Sequence, residues 1–143
     1  MTKPGENWQR DERVEWFRSI VELHDTIIET YGGAKGLIDS RLLEAALERP
    51  FMGLANGTEL FPSDVEKAAA LLEGIILFHP FVDGNKRTAT IFTFQFLKEH
   101  FYTIETVNEE IVEFVTKIAT KELQFNDIKE WIAHRVSKTG GDS

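Results

Sequence analysis

Apolar residues recur along this chain at intervals of three and four for most of its length, the period of an α-helix buried on one side. Val14, Phe17, Ile20, Val21, Leu23, His24, Ile27 and Ile28 form the first stripe, and Gly32-Gly33 follows where such a helix would stop. Asp39 can cap a second helix carrying Leu42, Leu43, Ala46 and Leu47, which Pro50 closes. Between Phe51 and Phe61 the helical pattern lapses, and Asn56-Gly57 between short apolar segments predicts a small β-hairpin flap. Ser63 and Glu66 have the spacing of a capping box for a third helix. Its Val65, Ala68, Ala69, Leu71, Leu72, Ile75, Ile76 and Phe78 leave little polar surface, so this is the expected central helix. A fourth helix runs from about Asn85 to His100 with Ala89, Phe92, Phe96 and Leu97 inward, followed by a short extended connection over Tyr102 to Thr106. A fifth opens at Asn108 and carries Ile111, Val112, Phe114, Val115 and Ile118 to about Lys121. A sixth, opened by Asn126 or Asp127, carries Ile128, Trp131, Ile132 and Val136. The expected fold is mainly α, a bundle of about six helices with a small β-hairpin flap.

Composition narrows the class. With 143 residues and 42% hydrophobic content, one domain over 1–143 can bury a sufficient core, with 1–13 and 137–143 as loosely ordered polar tails. Cysteine is absent, which excludes disulfides and thiolate metal sites. The polar, charged start and the lack of any apolar run near the ~18 residues a membrane helix needs predict a cytoplasmic protein without membrane association. A net charge of −8 argues against direct nucleic-acid binding. It also makes two adjacent cations, Lys86 and Arg87, a focused positive spot in an acidic protein.

Those cations belong to the stretch His79-Pro80-Phe81-Val82-Asp83-Gly84-Asn85-Lys86-Arg87-Thr88, which joins the third and fourth helical patterns. Gly84 lets backbone approach a ligand, and a helix opening near Asn85 turns unpaired N–H groups and its positive dipole end toward the same space. Asn85, Lys86, Arg87 and the Gly84 backbone can hold phosphate, while Asp83 can hold a magnesium ion that bridges phosphate oxygens. His79 is a candidate catalytic base just outside. A competing reading makes Asp83 and Asn85 helix caps and the two cations solvated surface. A P-loop is excluded, because the Gly-Lys dipeptide and the earlier glycine are missing and a helical pattern precedes the loop. His24, on the apolar side of the first helix, reads as a hydrogen-bonded core histidine, and Phe81 as a buried anchor for the loop.

The stretch resembles the signature of the Fic/Doc family, His-x-Phe-x-acidic-x-Asn-(Gly or Lys)-Arg, which His79, Phe81, Asp83, Asn85, Lys86 and Arg87 match. The resemblance continues through Leu23-His24-Asp25, Tyr31-Gly32-Gly33, Leu42-Leu43-Glu44-Ala45-Ala46 and Arg49-Pro50, over roughly residues 14–135. Fic-type adenylyl transferases have glycine where this chain has Lys86 and a second arginine where it has Thr90, so both departures point toward the Doc (death-on-curing) branch. What the resemblance implies is a toxin of a toxin-antitoxin system. Such a protein phosphorylates a hydroxyl on an elongation factor Tu-like translation factor, using ATP or another nucleoside triphosphate with Mg2+, and its cognate antitoxin is its partner. Two alternatives stay open at this point, adenylyl transfer to a protein hydroxyl and an inactive relative that acts as a binding protein.

Overall fold

Helix α3 (Asp64–Phe78) forms the middle of the molecule, with every residue from Ala68 to Ile76 buried. The computed structural model describes residues 4–139, with side chains from residue 12 onward. Around α3 stand α1 (Pro4–Tyr31), α2 (Ser40–Glu48) with a 3-10 turn at Arg49–Phe51, α4 (Asn85–Glu99), α5 (Asn108–Ala119) and α6 (Phe125–Ala133). Of these, α2, α4, α5 and α6 pack directly on α3, and α1 lies against α2 and α4. A two-stranded antiparallel ladder pairs β1 (Tyr102–Ile104) with β2 (Val136–Lys138), Thr103 opposite Ser137. The fold is mainly helical with a small sheet, and among the described residues no helix is long and apolar enough to cross a membrane.

The expected helix signals act as physical stops and starts. Ser63 and Glu66 form a reciprocal capping box at the head of α3. Asp39 caps α2 through the Arg41 backbone N–H at 2.8 Å, and the bonds from Arg41 hold its carboxyl below the usual aspartate range. The core joins Trp16, edge-on to Phe92 and Phe96 with ring centroids 5.5 and 5.7 Å away, to Leu71, Leu72 and Ile75 of α3. Inside this helical packing Glu73 is paired with Arg49, whose Nη1 also donates to the Ala70 carbonyl at 2.9 Å, so the buried carboxylate has its partner.

Several boundaries differ from expectation. Backbone helix begins at Pro4, inside the segment expected to be a tail, because the polar residues before Val14 extend α1 beyond its apolar stripe. The expected C-terminal tail contributes Ser137 and Lys138 to β2, where pairing with β1 supplies partners the sequence pattern does not announce; residues 140–143 lie outside the described residues. Helix α6 opens earlier than Asn126, since Gln124 is its cap and its N–H donates to Asp127 at 2.8 Å. Val14, Phe78 and Val112 belong to the apolar stripes yet are exposed.

The flap is present as a short hairpin with one bridge, Gly53 to Glu59. Leu54 N–H donates to Thr58 O at 2.8 Å and Gly57 N–H to Leu54 O at 2.9 Å, which makes a three-residue loop ending in left-handed Gly57 (φ 90) rather than a two-residue Asn-Gly turn. At its base Lys67 of α3 donates to Glu59 at 2.9 Å and to the Phe61 carbonyl.

Candidate active site

Helix α3 ends at His79, which is exposed and whose backbone is left-handed (φ 52, ψ 58) while its N–H still donates to Ile75 O at 3.2 Å. Glycine normally fills such a position, and a side chain there costs about 1–2 kcal/mol. The fold would be better served by glycine. Strain of this kind concentrates where a side chain has work to do.

From Pro80 the chain is held from three sides. Phe81 is 1% exposed and stacks on His24, ring centroids 3.9 Å apart and planes 8° off parallel. His24 Nε2 lies 2.7 Å from the Asp83 carbonyl, which can only accept, so that nitrogen carries the hydrogen and donates it. Asn85 closes the loop on itself, its Oδ1 accepting from Phe81 N–H at 2.9 Å and its Nδ2 donating to Phe81 O at 2.8 Å. Along the outer edge, Ile38 N–H donates to Pro80 O at 2.7 Å and Val82 N–H to Gly36 O at 2.9 Å. Gly84 is left-handed (φ 76), and a Cβ there would sit 3.2 Å from Ile28 and 3.7 Å from the His24 ring. The loop therefore lies tightly on α1, and its carbonyls and N–H groups are already placed.

Four polar or charged side chains of the loop, His79, Asp83, Lys86 and Arg87, remain at the surface beside the apolar Val82. Asp83 accepts from Gly84 N–H at 3.0 Å through Oδ1 and from Ala34 N–H at 3.3 Å through Oδ2, so both its oxygens are oriented by backbone, and among the described residues neither is paired with a cation. Lys86 and Arg87 stand in the first turn of α4, beside N–H groups that have no intrahelical acceptor. Among the described residues neither cation makes an ion pair with a carboxylate. Positive charge at a helix start opposes the dipole, and two free cations there leave a site suited to an anion.

A model of the Fic/DOC family matches residues 17–97, more than half of the chain, including the whole loop and the α1 residues beneath it. The chain belongs to the Fic/Doc family. It is also 32% identical over 107 residues to Toxin Doc of Mycolicibacterium smegmatis, a match that covers 72% of this chain and 80% of that protein.

Within this Fic/Doc loop the expected site residues divide into two kinds. His79, Asp83, Lys86, Arg87 and the Gly84 backbone share one loop and one helix start, with all four of these side chains exposed. Asn85 differs from expectation: 4% exposed and with both ends of its amide bound to Phe81, its side chain is a clip for the loop, and what it can offer phosphate is its backbone N–H. The reason is geometric, since an amide at the first helical position reaches the peptide four residues back as readily as it reaches outward. Thr90, where an arginine could have added a third charge, is buried and donates to the Lys86 carbonyl at 2.8 Å. His24 is a buried core histidine as expected, but its work is to hold the Asp83 carbonyl. Sequence reasoning missed Tyr31, whose ring lies 3.8 Å beneath the Arg87 guanidinium. The signal available for it was the Tyr31-Gly32-Gly33 resemblance, which marks the end of α1 without saying what it touches.

Proposed function

We propose that this protein is a Doc-type toxin that phosphorylates a hydroxyl on a translation factor resembling elongation factor Tu, with its cognate antitoxin as partner. The observation that carries this reading is Lys86 beside Arg87 at the start of α4, two cations without carboxylate partners among the described residues, in a chain of net charge −8. The name of the similar protein, Toxin Doc, supports it. In this mechanism a nucleoside triphosphate lies against the Gly84–Arg87 backbone with its phosphates on Lys86 and Arg87. His79 takes the proton of the target hydroxyl, and the freed oxygen bonds to the γ-phosphorus as the bond to the β,γ-bridging oxygen breaks and the diphosphate leaves. Lysine rather than glycine at position 86 fills space and draws phosphate charge toward itself, which presents the γ-phosphate for in-line attack.

Asp83 fits a magnesium ion by its donor chemistry, a single oriented and uncompensated carboxylate, the kind of site this ion uses when phosphates and water complete its shell. When bound, Mg2+ neutralises charge on the phosphate oxygens. The chain's own contribution is alignment. His24, Phe81 and Asn85 fix the loop, so the charged groups need little rearrangement as phosphate charge shifts. A target of this kind places the protein in the cytoplasm, with no membrane and no direct nucleic-acid contact required.

Mass spectrometry of a translation extract treated with the protein, ATP and Mg2+ tests the reading. A phosphate added to one translation factor is the expected result. An added adenylyl group overturns phosphoryl transfer in favour of the alternative, and no added mass on any protein removes the enzymatic reading.

A further inference from the structure

Helix α1 ends at Tyr31 with its ring in an unusual place for a side chain 61% exposed. The Arg87 guanidinium carbon sits 3.8 Å from the ring centroid, within the range where the negative face of the ring attracts a cation. The backbone that follows keeps the ring where it is. Gly32 (φ 88) donates its N–H to Ile28 O at 2.8 Å and stops the helix. Gly33 (φ 117) passes so close to the loop that a Cβ there would lie 2.8 Å from Asp83 Oδ2, and Ala34 then donates to that same oxygen. One turn of chain thus touches both the candidate metal-binding carboxylate and the candidate phosphate-binding guanidinium.

We infer that Tyr31 is a positioning residue for Arg87, holding the guanidinium over its ring so that the planar fork faces the phosphates before nucleotide arrives. The inference rests on the reading of Arg87 as a phosphate ligand. Arg87 has no carboxylate partner to orient it among the described residues, and an exposed arginine otherwise samples many rotamers. With its carbon over the ring face, the guanidinium still has five N–H donors from which to serve a ligand. The ring carries this role and not the hydroxyl, since the Tyr31 side chain is not among the hydrogen-bonding groups of the loop.

The test compares Tyr31→Leu, Tyr31→Phe and Arg87→Ala in the full chain, by calorimetry with magnesium and the β,γ-imido analogue of ATP and by steady-state transfer. Tyr31→Leu should weaken analogue binding by about three- to tenfold, the scale of one cation–π contact, with the loss in KM for nucleotide and little change in kcat. Tyr31→Phe should restore both, and Tyr31→Leu should add nothing in the Arg87→Ala background. Melting temperatures should stay level, because the ring is largely exposed. If Tyr31→Leu binds like the unaltered protein, if Tyr31→Phe fails as badly as leucine, or if the loss persists without Arg87, the positioning role is overturned while the phosphate site stands. If the unaltered protein binds the analogue and Arg87→Ala binds it equally well, the reading of Arg87 itself fails, and the role of Tyr31 with it.

Discussion

Two irregular segments of this molecule, the loop His79–Gly84 with the first turn of α4 and the flap Met52–Leu60, are held in opposite ways. In the flap every residue is exposed, including the apolar Met52, Leu54 and Leu60, and its order comes from one bridge, a three-residue turn and the Lys67–Glu59 pair at its base. In the loop Phe81 and Asn85 are buried, and side chains from α1 and α4 bond to its backbone. Irregular backbone is thus not the same as loose backbone. What separates the two is whether buried side chains satisfy the peptide groups that a helix or sheet would otherwise satisfy. Chemistry that depends on alignment belongs on the first kind, and surface that must fit something else belongs on the second.

The largest expected effect separates chemistry from scaffold inside the loop. Replacing His79 with glycine should lower turnover by about 10²–10⁴-fold, equal to about 3–5 kcal/mol of barrier, through loss of the base. Stability should hold or rise, because glycine suits the left-handed helix end. Thermal unfolding beside the transfer assay checks both halves, and a variant that melts far below the parent would show that His79 is structural.

Asn85→Ala should do the reverse. Removing both amide bonds leaves the Phe81 N–H and C=O buried without partners, a loss of about 2–4 kcal/mol in denaturant unfolding. Activity should fall with the loosened loop. A near-neutral Asn85→Ala would mean that the clip is not what holds the loop.

Gly57→Ala carries the smallest effect and sharpens the contrast from the flap side. A Cβ at Gly57 meets open space, so the only penalty is its left-handed backbone, about 1 kcal/mol. Because every residue of the flap is exposed, global stability should fall by less than that. A loss as large as that of Asn85→Ala would make the flap part of the cooperative core and erase the distinction.

Sequence reading reached most of this architecture and only part of the site. Helical stripes and the Ser63–Glu66 box locate α3 and hence His79 at its end, because burial on one face leaves a periodic trace. Periodicity does not mark polar extensions, which is why the start of α1 and the second strand escaped it. Residue types also do not tell which way an amide faces, and Asn85 reads as phosphate ligand or helix cap until Phe81 is seen between its two bonds. Contacts between distant segments, Tyr31 with Arg87 and His24 with Asp83, leave no local pattern at all. Tertiary folding alone brings them together.

In the proposed reaction this loop, with lysine at position 86, presents a γ-phosphate to a hydroxyl aligned by His79. Its most direct measurement is transfer from ATP labelled separately at the γ and α positions, with a translation extract as acceptor and Mg2+ present. Label should reach a protein from γ-labelled ATP and not from α-labelled ATP, and γ transfer should weaken in Lys86→Gly. Label carried from the α position by the unaltered protein would contradict this reaction.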